Sequence, residues 1–307
     1  MNIERISGTI VTIPCDHHKI DTRFCHIDTS KEHLENKPVT IRLHGTLGNL
    51  LDDTEHFLPT FLALQGYSSI TMNTLLANLG LFFGFGIFDD AMVQIDAVYN
   101  YLRDMGFTKI VIAGHGLGGC MAVRYAALRN DPKEYSDMVG VIAIAVPYSM
   151  PDTVRKRWER FGSEPSYEEV YLKARSLFGK QRGKEPPKDE MLVVRKAHGY
   201  SSLPKDTEVF TLKTWWALAG PEAKGAKVYK NIAKVRVPIL LVRGSHDEHI
   251  GHREFEDLTK VARKAGNRDV TRCVLDANHM FDGKHNELTQ VIAKWLNERH
   301  PTQEPTS

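Results

Sequence analysis

Four short stretches of this chain carry residues able to transfer protons or support acyl transfer. They are His44-Gly45-Thr46-Leu47-Gly48, Gly114-His115-Gly116-Leu117-Gly118-Gly119, Ser245-His246-Asp247-Glu248 and Asn278-His279. Each alone is a weak signal. An Asp after a strand is most often a helix cap, and a lone His is most often structural. Their shared context raises them, because each follows a short apolar run. The glycine knot is the sharpest of the four. In "VIAGHGLGGC", residues 111–120, an apolar run enters clustered glycines and small residues follow. That is how a buried strand turns tightly into a helix. Nucleophilic chemistry at such a turn needs a serine at the tip, and here the tip is Gly116.

The elements that must position these stretches follow from periodicity. Residues 6–14 and 21–28 are β-rich around a polar turn at Asp16, His17 and His18, which predicts an opening hairpin. Strands are expected at 39–45, 68–73, 108–114, 139–147, 237–244 and 269–276. Helices are expected at 56–66, 89–107, about 117–129, 252–266 and 285–299, the second with Ala91, Ile95, Val98 and Leu102 three or four apart. Apolar strands alternating with helices predict an α/β fold with a mostly parallel sheet covered on both faces. Such sheets bind ligands at the carboxyl ends of their strands. Between 148 and 235 the chain is charged and aromatic, with a Gly/Lys/Pro-rich gap near 179–189 and little strand signal. A helical insertion, a cap or lid, is expected there, with residues 1–147 and 236–307 as the core.

Composition excludes more than it selects. The chain has 307 residues, is 42% hydrophobic and carries a net charge of +2, enough for one large core. That balance points to neither nucleic acid nor an anionic membrane as partner. The basic run Arg155, Lys156, Arg157 is broken by Trp158 and Glu159 and reads as a solvated helix face. Cys15, Cys25, Cys120 and Cys273 show no metal spacing, so reduced thiols in a cytoplasmic protein are expected. A disulfide between Cys15 and Cys25 across the hairpin is disfavoured. The N-terminus lacks the build of a signal peptide. No run reaches the 18 apolar residues of a membrane span. No phosphate loop is present, so no cofactor is implied. His246, His249 and His252 are spaced by three, which fits a loop and a helix start better than a metal site.

Taken in this order, each past a strand, the four stretches resemble those of the α/β-hydrolases. That family carries its nucleophile in a G-x-S-x-G elbow and orders its triad Ser, acid, His along the chain. The resemblance spans almost all of the sequence. It implies Asp247 as triad acid and His279 as triad base. It implies an oxyanion hole built from the N–H of Leu117 and one from Thr46 or Leu47. His44, Gly45, His115 and Met280 would then border the substrate. Phe82, Phe83 and Phe85 would form an apolar wall or dock the cap. Trp215 would reach in from the cap, and Tyr148 would stand at the rim or act as the hinge. An apolar, aromatic pocket implies a small hydrophobic ester, thioester or amide.

Gly116 departs from the family pattern. The elbow forces positive φ at its tip, which glycine tolerates best, so the fold is expected to survive the change. The only atom able to attack a carbonyl from that point is gone. Three readings stay open: a hydrolase whose serine is replaced, a ligand-binding protein without catalysis, and serine-free chemistry in which His279 activates water or takes a proton from the substrate. Cys120, one helical turn beyond the tip, is disfavoured as a substitute nucleophile.

Overall fold

The computed structural model describes residues 8–15, 18–25, 35–52, 54–78, 86–179, 190–196 and 207–301; Phe82, Phe83 and Phe85 lie outside these described residues. The chain opens with a hairpin, β1 (Gly8–Cys15) and β2 (His18–Cys25). Its register pairs Cys15 with His18 and Cys25 with Gly8, so the two cysteines sit at opposite ends of the ladder. β3 (Val39–Leu43), α1 (Thr54–Leu64), β4 (Ser69–Met72), α2 (Asp90–Asp104), β5 (Ile110–His115), α3 (Leu117–Leu128) and β6 (Met138–Ile144) then alternate. After an insertion the alternation resumes with β10 (Ile239–Gly244), α8 (His252–Lys264), β11 (Val270–Leu275) and α9 (His285–Arg299).

Eight of these strands form one sheet in the order β1-β2-β4-β3-β5-β6-β10-β11. The hairpin joins antiparallel at β4, and every pairing from β4 to β11 is parallel. Alternation along the strands sorts the core into two layers. Ile110 and Ile112 of β5 face α2, α3 and α8, while Val111 and Ala113 face α1 and α9. Each central strand is buried on both faces, hence its continuous apolar run. Beside the sheet, the Arg42 guanidinium of β3 holds the Glu55 carboxylate of α1 through two 2.7 Å hydrogen bonds, with neither side chain exposed. No helix among the described residues is long and apolar enough to cross a membrane.

The insertion departs from the helical expectation. It contains helices α4 (Met150–Phe161), α5 (Tyr167–Phe178), α6 (Leu212–Ala219) and α7 (Val228–Ile232). It also contains β7 (Ser163–Glu164), β8 (Met191–Lys196) and β9 (Thr207–Thr211), which pair antiparallel as a second sheet. In β8 Leu192, Val194 and the Lys196 side chain turn inward, while Met191 and Val193 stay exposed. A strand of six residues with one covered face gives a weak signal among charged neighbours. The expected solvated face of the basic run is also only partly met. Arg155 and Lys156 point outward, but Arg157 is only 25% exposed.

The β5–α3 turn is the tightest packing in the sheet. A Cβ added to Gly118 would collide with the backbone of Leu43 and His44, and one added to Gly114 would collide with the backbone of Gly118 and Gly119. Gly116 differs, because only one atom lies within 4 Å of its Cβ position. Gly118→Ala should therefore cost about 3 kcal/mol or more. Gly116→Ser should cost only about 1–2 kcal/mol, for its positive φ. Urea unfolding of the two variants beside the parent chain checks the order.

Candidate active site

Gly116 joins β5 to α3 with φ 52° and ψ −111°, a conformation costly for a side chain. Its N–H donates to Ile144 O at 2.9 Å, which ties the tip to the next strand. The nearest atom to a Cβ built at residue 116 is His279 Nε2, at 4.0 Å. One bond further out, a serine hydroxyl would come within hydrogen-bond reach of that nitrogen.

His279 follows β11, and Asp247 follows β10, the neighbouring parallel strand. His279 Nδ1 lies 3.0 Å from each oxygen of Asp247. A carboxylate only accepts, so Nδ1 carries the proton and Nε2 presents its lone pair toward residue 116. The Asp247 side chain has no exposed surface. Burial pushes its pKa up. The hydrogen bond and charge of His279, with the N–H groups of Ile250 and His249, outweigh burial and hold the carboxyl below its usual range.

Two further imidazoles flank His279, each 4.7 Å from its ring centre. His115 Nε2 donates to His279 O at 3.0 Å. Burial first, and then the charge of His279, hold the pKa of His115 down to about 3. His249 meets His279 edge to face, and burial, His279 and Arg157 hold its pKa down to about 3. Both flanking rings are neutral at pH 7. The His246–His249–His252 spacing does not gather a cluster. His246 turns to Asp276 and His252 to Glu256, while His249 faces His279.

The loop after β3 brings Thr46 and Leu47 to the same end of the sheet. Leu47 has φ 58°. Asn78 braces the loop, its Nδ2 donating to Leu47 O at 3.1 Å and its N–H to Gly48 O at 2.8 Å. The sequence reading missed Asn78, because no spacing signal ties a loop asparagine to another loop about 30 residues earlier. Leu117 is the first residue of α3, where helical N–H groups have no intrahelical acceptor.

Other expected residues land elsewhere. His44 has no exposed surface; its Nδ1 bonds Gly45 O at 3.0 Å and its Nε2 bonds Thr74 Oγ1 at 2.8 Å. It holds the loop rather than facing a ligand, and burial takes its pKa down to about 4. Gly45 is buried beside it, and Met280 is half-buried beside His279. Cys120 Sγ donates to Gly116 O at 3.4 Å, and burial raises its thiol far above the ordinary range, which leaves it no thiolate. Tyr148 stacks on Tyr229 with centroids 4.6 Å apart, where the chain enters the insertion. Trp215 is fully buried and stacks behind Trp158 at 5.6 Å, so Trp158 and not Trp215 meets open space.

That space is a narrow cleft between Thr46 and the insertion, with free room of only about 20 Å³, about that of one water. Thr46, Met150, Val154, Trp158, Phe210 and Leu218 line it. A more open, polar groove at Asn100, Arg103 and Asp137 lies by the amino ends of β5 and β6, away from Gly116.

A mostly parallel eight-stranded sheet with a strained glycine elbow after β5, an acid after β10 and a histidine after β11 defines the architecture. The chain has the α/β-hydrolase fold. Solved structures with this fold superimpose along nearly its whole length. The esterase Est1E from Butyrivibrio proteoclasticus matches with a TM-score of 0.61 and 16% identity, over 95% of this chain and 99% of its own. An esterase from Pyrococcus furiosus matches with a TM-score of 0.61 and 16% identity, over 96% and 92%. The thioesterase domain from the curacin biosynthetic pathway matches with a TM-score of 0.55 and 14% identity, over 94% and 99%. No family model matches the sequence, and no curated protein matches it. At these identities the likeness is one of α/β-hydrolase fold.

The buried histidines around this site predict a pH response. His44 and His115 have folded pKa values near 4 and 3, below the unfolded value of about 6.5. The unfolded chain then binds more protons below pH 6.5, so stability is full above that pH and falls as pH drops toward 4. Asp247, with its depressed pKa, adds loss only at still lower pH. Unfolding free energies from urea titrations at pH 7.5 and pH 5 should differ by on the order of 1–2 kcal/mol per buried histidine. His44→Gln should flatten part of that slope.

Proposed function

We propose that this chain is an ester-binding protein on the hydrolase scaffold, with the acid and base of a catalytic triad kept and the nucleophile absent. Asp247 orients His279, and His279 Nε2 faces the point from which a serine would attack. The N–H of Leu117, with one from Thr46 or Leu47, would receive the oxyanion. The insertion between β6 and β10 acts as a cap over the site. The substrate class is a hydrophobic carboxylic ester, with thioesters and amides sharing its chemistry.

The observation that carries this reading is the space at residue 116. A Cβ there meets nothing closer than His279 Nε2, at 4.0 Å. A hydroxyl placed on it would give its proton to Nε2 as it attacks the ester carbonyl. Asp247 would stabilise the imidazolium, and His279 would return the proton to the leaving alkoxide. Esterases and a thioesterase share the fold, which supports the class without choosing a substrate. As the chain stands no acyl-enzyme can form at this point. The same open space admits a water beside Nε2, which favours slow direct hydrolysis as a second reading.

The test is hydrolysis of p-nitrophenyl butyrate and octanoate by the parent chain and by G116S. Loss of a triad serine elsewhere lowers kcat by about 10⁶-fold, so even partial restoration should raise turnover by more than ~10²-fold, with a burst of p-nitrophenol. G116S combined with His279→Ala should fall back to the parent level. Equal turnover in parent and G116S would favour His279 acting on water. Silence in both would overturn the triad reading and leave a binding protein.

A further inference from the structure

We propose that His279 is itself an acyl acceptor in this chain: its Nε2 attacks the carbonyl of a small thioester or aryl ester and holds the acyl group until water removes it. The inference rests on the ester-site reading and names the attacking group and the leaving groups it can expel. Nδ1 is committed to Asp247, 3.0 Å from each carboxylate oxygen. Nε2 makes no hydrogen bond among the described residues, and it is not a buried atom. His115 and His249 pack against the ring, yet the side chain keeps 15% of its surface exposed. Nε2 is also the one atom within 4 Å of a Cβ built at residue 116, at 4.0 Å.

A serine at the tip would stand between Nε2 and the substrate and leave the imidazole only a proton to carry. Glycine removes that barrier. The place of the serine oxygen is within hydrogen-bond reach of Nε2, and about 3–3.5 Å is also the separation of reacting atoms in a near-attack geometry. A carbonyl carbon seated there meets the in-plane lone pair of Nε2. The N–H of Leu117, next along the chain at the start of α3, is placed to take the carbonyl oxygen.

In the first step the Nε2 lone pair forms a C–N bond and the carbonyl π pair moves onto oxygen. Collapse breaks the bond to the leaving group, which departs with its electron pair. The product is an acyl-imidazolium whose Nδ1–H still faces the Asp247 carboxylate, and the flanking His115 and His249 rings are neutral at pH 7. Water then attacks the acyl carbon and loses a proton to solvent. The C–N pair returns to Nε2, and a carboxylate leaves. His279 has no proton to give the leaving group in the first step. Thiols and phenols, with pKa values of about 8–10, can leave unaided, whereas an alkoxide, near the value of about 16 for water, cannot.

The experiment mixes the full parent chain with p-nitrophenyl acetate, S-phenyl thioacetate and ethyl acetate. Acid-quenched samples are mapped by mass spectrometry. The two activated donors should give a burst and an acetyl group on His279. With hydroxylamine present, both should yield the same ratio of hydroxamate to acetate, the mark of a shared intermediate. Ethyl acetate should turn over at least ~10²-fold more slowly, for want of a general acid. His279→Ala should lose the adduct, and Gly116→Ala, whose methyl fills the space, should lose it too. Unfolding midpoints check that both variants fold. Turnover of the activated donors without an adduct would assign the attack to water and overturn the proposal. So would an acetyl group confined to other residues, ethyl acetate turned over as fast as the aryl ester, or no turnover by the parent. Failure of the ester-site reading is separate: G116S would then be as silent as the parent, whereas an active G116S beside a parent without adduct sinks this inference alone.

Discussion

The backbone of α3 touches the backbone of β3 at Gly118, and the arrangement of the site depends on that contact. With hydrogen as the side chain, the first turn of the helix can lie directly under Leu43 and His44. This approach brings the end of β5 and the 44–48 loop to one place. It also forces the left-handed turn at Gly116. Two consequences follow from one steric fact: a tip aimed into the crevice at the strand ends, and a helix N-terminus beneath it whose N–H groups are unsatisfied. Such a turn is a fixed dipolar cradle whatever residue sits at the tip.

Around that cradle the charges are sparse. Asp247 is a buried carboxylate held by two backbone N–H groups and His279. His115 and His249 are driven neutral by burial and by the neighbouring imidazole. A proton taken up by His279 would face the Asp247 carboxylate and two neutral rings, with the Glu248 carboxylate accepting from the His279 backbone N–H at 3.4 Å. That environment suits an imidazole that gains and loses a proton, and it explains why three adjacent histidines need not repel.

The insertion decides what can lie against this machinery. Its aromatic stack, Trp158 on Trp215 and both beside Tyr167, makes a rigid wall. Beside that wall Arg157 turns inward to an ion pair with Glu208, which Lys196 holds at 2.6 Å. Helix α4 presents Arg155 and Lys156 to solvent and Arg157 to the cleft because consecutive residues on a helix point about 100° apart.

The sequence by itself determined the α/β layering and set Asp247 and His279 each just past a strand, while their pairing was only what the family resemblance implies. Apolar period and glycine placement are local properties, and each candidate stretch sits directly after its own strand. It also exposed Gly116 as a tip without a nucleophile, since only the residue type was needed. Tertiary structure alone decided the rest. Whether His44 faces ligand or protein depends on Thr74, a residue 30 positions away. That Trp158 and not Trp215 meets the cleft depends on which face of the stack is left open. The three short strands of the insertion pair across a gap in sequence, so their period is too brief to read alone. Arg157 looked like part of a solvated basic run. Its partial burial came from packing across the insertion and an ion pair with Glu208 of β9, and long-range packing has no period in the chain.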